Sequence, residues 1–316
     1  MIGKTFSTTV RPRAASDHEL CLIGATRLSD FVDFVQQRSS QRPRPKTGDL
    51  ADTWRAAAEV YRQLQIAEAG IANSVPVVPL SASLQVHMDA LCALPHFSNT
   101  FSAVPVAFGM VELDRLVVCQ QHLTLSSIES LQARYKRKPS GKALANICLP
   151  TTVPPMEFNV LRRHDDEFVF RSNNHDARVL GSRVLTGDAM PDMDVPGHTQ
   201  AVACIALGFS SNVLNVVRFG QRLVLNNGYH RAYALRAMGV THVPCVIQVC
   251  AHWEEVGLAV GGEMYNNGDP YFGLARPPLL RDFFDKRLVH EIPTDPAERH
   301  IRLKFETNTS LWGRPV

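Results

Sequence analysis

The sequence predicts an α+β protein with a helical N-terminal lobe, and three observations carry that reading. Leu50, Trp54, Ala57, Tyr61 and Leu64 recur at spacings of three and four, which places them on one face of a helix over 49–72. Residues 157–161 and 168–170 are strand-like runs separated by a charged turn at 162–167, the pattern of a hairpin. Residues 213–219, 222–225 and 242–249 are apolar, β-branched runs. Gly220-Gln221 separates the first two; Asn226-Asn227-Gly228 and an Ala-rich stretch separate the last two. That order reads strand, strand, helix, strand.

Taken from the N-terminus, residues 1–48 are mixed and end in a Ser/Arg/Pro-rich stretch at 38–48. After the 49–72 helix, Ser81 or Ser83 is placed to cap a second helix that stops before Pro95. Residues 1–94 are therefore expected to form the helical lobe. A strand is expected at 103–111. Ser126-Ser127-Ile128-Glu129 has capping-box spacing and should open a helix to about residue 135. Residues 136–142 are basic and turn-rich; Asn173 and Asn174 mark another turn before a strand at 179–185. The stretch 188–197, with two prolines and several acids, reads as an exposed loop. Residues 199–207 read as a short apolar helix ended by Gly208, and Gly239 closes the helix over 229–238. The core is expected over 95–250. Residues 251–316 read as an irregular extension packed on it, with an amphipathic stretch at 299–305.

Length and composition fit this plan. The chain has 316 residues, 45% of them hydrophobic and 20% charged, enough for a sizeable core in one large domain or two ordinary ones. The net charge of +3 supplies no global field for nucleic acid, and the basic residues of 42–46, broken by prolines, read as a solvated linker. The first thirteen residues lack an apolar run of signal-peptide length, and no window approaches a membrane span. The seven cysteines are scattered and form no CxxC pair. The expectation is a reduced cytoplasmic protein without a disulfide framework or zinc site.

Chemistry concentrates at 226–231. Gly228 lies between a strand and a helix, where the backbone calls for positive φ and a ligand can approach the main chain closely. The first helical turn presents N–H groups and the positive end of the helix dipole, which together favour an anion. Arg231 adds a charged fork suited to phosphate oxygens. His230 can donate to phosphate or carry a proton near neutral pH. The plainer reading is a helix start with surface His and Arg side chains.

The surrounding residues favour the first reading. LVLNNGYHRAYALRAMGVTHVPCVI resembles the ParB/sulfiredoxin superfamily stretch of strand, Asp/Asn-Gly-x-His-Arg, Ala-rich helix, Gly, and Val/Pro strand. The resemblance rests on Asn227, Gly228, His230, Arg231, Ala234, Gly239 and Pro244, and covers about thirty residues, with a weaker echo at 111–120. It implies a ParB/sulfiredoxin-like nucleotide-binding core that takes ATP or CTP with Mg2+ and transfers or cleaves phosphate. By position, Asn227, Gly228, Tyr229, His230 and Arg231 are then the nucleotide-binding residues. Three departures narrow the reading. The catalytic cysteine of sulfiredoxins is replaced by Tyr229, so sulfinic-acid reduction by that route is not expected. The helix-turn-helix that follows in ParB proteins finds no counterpart in 250–316, which is broken by Pro270, Pro277, Pro278, Pro293 and Pro296, so sequence-specific DNA binding is not expected. The glutamate base of the serine-kinase members is replaced by Gln120-Gln121-His122. About 115 residues separate Val111 from Gly228, room for an insertion with a substrate pocket of its own.

Other polar clusters are weaker. Residues 163–167 contain metal-ligand types but suit a solvated hairpin turn. In 174–178, His175 or Asp176 is a candidate general base beside His230, against the alternative of an Asx turn. Glu263 and Asp269 sit in a Gly-rich loop of the kind used as a lid and are candidates to hold Mg2+, although no metal ligand set is defined. Arg276 and Arg281 read as surface residues or second phosphate contacts; His198 reads as a turn residue or a site residue. The leading expectation is an ATP- or CTP-dependent phosphotransferase or hydrolase acting on a small metabolite. The alternatives are a nucleotide-responsive binding or scaffold protein without turnover, and a ParB-like nuclease. The expected partners are the nucleotide and a small-molecule substrate, with no membrane; a homodimer is compatible with the reading.

Overall fold

The computed structural model describes residues 17–135, 137–152, 158–164, 166–172, 177–192, 194–195, 197–209, 212–260, 263–296 and 298–309. The first described elements are strand β1 (Asp17–Leu22) and helices α1 (Leu28–Arg38) and α2 (Thr47–Ala67). The short strand β2 (Val77–Val78), helices α3 (Gln85–Cys92) and α4 (Pro95–Thr100), and strand β3 (Val106–Glu112) follow. Next come β4 (Val117–Val118), β5 (His122–Thr124), α5 (Leu125–Arg134) and α6 (Gly141–Cys148). Four strands then run in succession: β6 (Asn159–His164), β7 (Glu167–Ser172), β8 (Ala177–Thr186) and β9 (Ala201–Phe209). The hairpin β10 (Asn215–Phe219) and β11 (Arg222–Asn227) leads to α7 (Tyr229–Ala237) and β12 (His242–Cys250). Short helices α8 (Trp253–Ala259), α9 (Glu263–Asn266) and α10 (Asp269–Phe272) precede β13 (Val289–Thr294) and β14 (Arg299–Lys304). The fold is α+β.

These elements divide into two compact units. The larger contains the described residues of 14–153 and 211–296; the smaller contains those of 154–210 and 297–316. The breaks fall at 153/154, 210/211 and 296/297, not at 94 and 250. Strand pairing explains why. β1 pairs antiparallel with both β13 and β5, so the first strand and residues 289–294 share one sheet. The smaller unit draws most of its chain from the interval between Val111 and Gly228.

The larger unit is built on a six-stranded sheet of order β2-β3-β12-β10-β11-β4. β10 runs parallel to β12, and β11 parallel to β4; the other pairs are antiparallel. Adjacent residues in a strand point to opposite faces, and here both faces are covered. Val216 joins a core with Leu113, Leu116, Leu225, Leu235 and Val246, whereas Val217 joins Val224, Val256, Tyr271 and Leu279 on the other side. The apolar runs read from the sequence are therefore continuous, as befits strands buried on two faces. A third cluster, with Phe31, Val35, Leu50, Ala57 and Ile292, packs α1 and α2 on the β13-β1-β5 sheet.

The 49–72 helix forms as α2 and ends at Ala67; Gly70, with φ of +81°, turns the chain away. The hairpin at 213–225 forms with Phe219 opposite Arg222 around Gly220-Gln221, and Gly220 has φ of +59°. The β6–β7 hairpin also forms, but its strands run on to His164 and from Glu167, so most of the expected turn at 162–167 is paired strand. Two local expectations fail. Residues 199–207 do not form a helix: β9 occupies Ala201–Phe209 and pairs with β8 along its whole length. A short apolar run has no period to separate the two states, and cross-strand pairing decided the outcome. Nor does the capping box form. α5 starts at Leu125 with Thr124 as N-cap and no side-chain cap, because Ser126 donates its hydroxyl to Asp17 at 2.6 Å. Ser81 does stand at the N-cap of the 82–84 turn that leads into α3, although its hydroxyl bonds that of Ser83 at 2.8 Å and makes no cap hydrogen bond. Pro95 ends one helix and starts the next, at a first-turn position where no N–H is needed.

Candidate functional site

The site grows from the end of β11. Val224 and Leu225 bury their side chains on opposite faces of the sheet, and Asn226 and Asn227 then reach its edge. Gly228 has φ of +98°, a left-handed conformation that costs residues with a Cβ roughly 1–2 kcal/mol. A Cβ there would also sit 3.3 Å from the Leu214 side chain. Glycine is thus required by the turn itself. α7 begins at the next residue, so its positive end lies at this edge. Because β4 runs parallel to β11, both strands deliver their following segments to the same edge. In open sheets that edge is where ligands are commonly bound.

Two hydrogen bonds join the segments. The Cys119 N–H donates to the Tyr229 hydroxyl at 3.3 Å, and the Thr124 N–H donates to His230 Nε2 at 3.0 Å. With Nε2 accepting, the neutral ring of His230 carries its proton on Nδ1. Tyr229 donates in turn to the Leu225 carbonyl. Burial, reinforced by the neighbouring Cys119, holds the Tyr229 phenol well above its ordinary pKa, so it stays protonated and serves as a strut. Asn227 donates to the Val213 carbonyl at 3.0 Å. Asn226 donates to the Asn215 side chain at 2.8 Å and to the Ala259 carbonyl at 3.4 Å, which places the end of α8 beside the turn. Asn215 is itself buried in β10.

Arg231 does not sit at the surface. It is 7% exposed, and its guanidinium donates to the carbonyls of Ile147 (2.9 Å), Cys148 (3.3 Å) and Asn212 (2.8 Å) and to the Asn212 side chain. As placed, it closes the C-terminal end of α6 and the chain before β10 onto α7. A fork suited to phosphate oxygens is equally suited to converging carbonyls. In the described segments 119–124 and 226–230, the residues that keep part of their surface in solvent are Cys119, Gln120, Gln121, His122, Thr124, Asn226, Asn227, Gly228 and His230. They offer amides, two imidazoles and a helix start, which suit an anion, and none of the nine is a carboxylate.

The other candidates fall elsewhere. His175 and Asp176 lie outside the described residues. In 163–167, the Asp166 carbonyl accepts from the Phe305 N–H at 2.9 Å and Glu167 pairs with Arg302 at 3.3 Å, which makes this a hairpin end tied to β14. Glu263 opens α9, and Asp269 is an exposed first residue of α10. His198 leads into a strand, so it caps no helix. Arg276 is neither a surface residue nor a phosphate contact. It is 1% exposed, bonded bidentately to Asp282 and to Glu68 Oε2 at 3.0 Å, and Arg281 pairs with the same Glu68. All seven cysteines are free, and burial pushes the Cys148 thiol up to about 12. Among the described residues, no three His, Cys, Asp or Glu side chains are grouped to hold a metal ion, and no helix is long and apolar enough to cross a membrane.

The contributions of Thr124, Asn212 and Asn215 had no signal in the sequence. Thr124 and Asn212 act across 106 and 19 residues of chain. Comparison with protein-family models, with curated proteins and with solved structures found no match.

Proposed function

We propose that the chain binds a nucleoside triphosphate, ATP or CTP, with its phosphates at the start of α7, and uses it for phosphoryl transfer or hydrolysis on a small metabolite in the cytoplasm. The observation that carries the reading is the left-handed Gly228 between β11 and a nine-residue helix, set at the edge to which the parallel strands β4 and β11 both deliver the chain. In this proposal Gly228 and the first turn of α7 meet the phosphates, and His230, Asn227 and the Gln120–Gln121 amides border them. Arg231 and Tyr229 act one layer below by fixing the turn. Mg2+ would arrive with the nucleotide, held mainly by phosphate oxygens and water as that ion prefers. Its role would be to neutralise charge on the transferred phosphoryl group.

A second reading has its own support. Among the described residues of 119–124 and 226–230 there is no carboxylate to activate an acceptor. That favours a protein which binds nucleotide as a signal without turning it over.

Thermal denaturation with ATP, CTP, GTP, ADP and AMP, each with and without Mg2+, tests both. A ligand at a hundred times its dissociation constant stabilises the native state by roughly 2.7 kcal/mol. The proposal expects one triphosphate to do so, and expects His230→Ala to weaken that effect. Absence of any shift in wild type would sink both readings. A shift without product formation, in the presence of candidate small-molecule acceptors, would leave only the second.

A further inference from the structure

The smaller unit contains a two-stranded sheet, β8 with β9, that has no third strand among the described residues. Its root is well held. Phe209 stacks on Phe158 at 5.0 Å, Phe158 meets Phe170 edge-on at 6.3 Å, and the Ala177 carbonyl accepts from Arg299 Nε at 3.3 Å. Beyond that root the ribbon runs out with little cover. No residue of β9 is fully buried, and Val179, Leu180 and Val184 on β8 are exposed. An isolated two-stranded ribbon is marginal in water, so it gains from a further strand.

The two outer edges differ. β8 carries Arg178, Arg183, Gly181 and a register shift between Val179 and Gly181, the usual means of blunting an edge. β9, AVACIALGF, has no charge, no proline and no bulged residue. Among the described residues it is the open edge. Its sequence is also complementary to itself. Laid antiparallel about Ile205, it places Ala201 opposite Phe209, Val202 opposite Gly208, and Ala203 opposite Leu207. Small residues meet large ones at these three pairs, Cys204 faces Ala206, Ile205 faces its own copy, and no charge meets a like charge across the twofold. We infer that β9 is where two copies of this chain join, edge to edge and antiparallel, into a four-stranded sheet β8-β9-β9-β8. This inference does not depend on the nucleotide reading.

Sedimentation velocity across the micromolar range tests it, with three substitutions at Ile205. Wild type should show a concentration-dependent monomer–dimer equilibrium. Ile205→Lys and Ile205→Glu each put like charges face to face and should raise the dimer dissociation constant roughly tenfold or more. Ile205→Thr, uncharged and β-branched, should associate as wild type does. Mixing the Lys and Glu variants in equal amounts should restore the dimer, which also shows that both remain folded. A wild type that stays monomeric overturns the inference. So does an Ile205→Lys dimer as tight as wild type, or a Lys/Glu mixture that does not associate.

Discussion

At the scale of single residues, the turn at Gly228 shows how one motif can serve two masters. Arg231 is the charged member of Gly-Tyr-His-Arg, yet its donors go to three carbonyls and the Asn212 side chain. Removing a charged donor from buried carbonyls leaves them without a partner, at about 1–3 kcal/mol for each group affected. We therefore expect Arg231→Ala to lower the unfolding free energy of the ligand-free protein by about 2–4 kcal/mol in urea melts. If Arg231 instead served phosphate alone, that substitution would leave the ligand-free protein within about 0.5 kcal/mol of wild type. Gly228→Ala should cost about 1–2 kcal/mol through the left-handed backbone alone. Arg276 belongs to the same class of buried cation, with Asp282 and Glu68 as partners. Breaking such a pair from one side costs about 3–5 kcal/mol, so Arg276→Ala should be the most destabilising of the three by the same measurement.

At the scale of elements, α1 is held on its sheet by aromatic contacts that titrate. Phe31 meets the His290 ring edge-on at 5.5 Å, and burial lowers the His290 pKa below its ordinary 6.5. The folded state thus binds fewer protons at this ring than the unfolded chain. The resulting stability is present above pH 6.5 and is lost as the pH falls from there through the folded pKa. Denaturant midpoints measured from pH 8 to pH 5 should fall, and His290→Phe should flatten that slope; an unchanged slope would remove His290 from the account. The same elements show what was legible in the sequence. The α2 face, the 213–250 strand–strand–helix–strand order, and the glycines at 220, 228 and 239 were readable because each depends on a local period or a backbone conformation. β9 was not, since a nine-residue apolar strand and an apolar helix look alike until a partner strand is known. The Ser126 cap was lost to Asp17, a residue 109 positions away. At the site, Gly228 was legible, but the burial of Arg231 was not. That burial depends on carbonyls from α6 and the chain before β10, which no local pattern announces.

At the scale of the whole molecule, the two units differ in how their strands are protected. β10 has a hydrogen-bonded neighbour on each side, β11 and β12, and buries Val216 and Val217 on opposite faces. β12 is flanked in the same way by β3 and β10. Amides in such strands open only when most of the structure unfolds. β9 has one neighbour among the described residues and no fully buried side chain, so its outward amides should exchange by local opening. Hydrogen exchange read by mass spectrometry should therefore rank β10 and β12 as the slowest segments and β9 among the fastest strands in dilute protein. Raising the protein concentration should slow β9 if its edge pairs with a second copy, while leaving β10 unchanged. Adding the triphosphate that shifts the melting temperature should instead slow 226–231 and 119–124, the two segments joined by the Tyr229 and His230 hydrogen bonds. Protection that followed nucleotide at β9, or protein concentration at 226–231, would show that the roles assigned to these two surfaces are exchanged or shared.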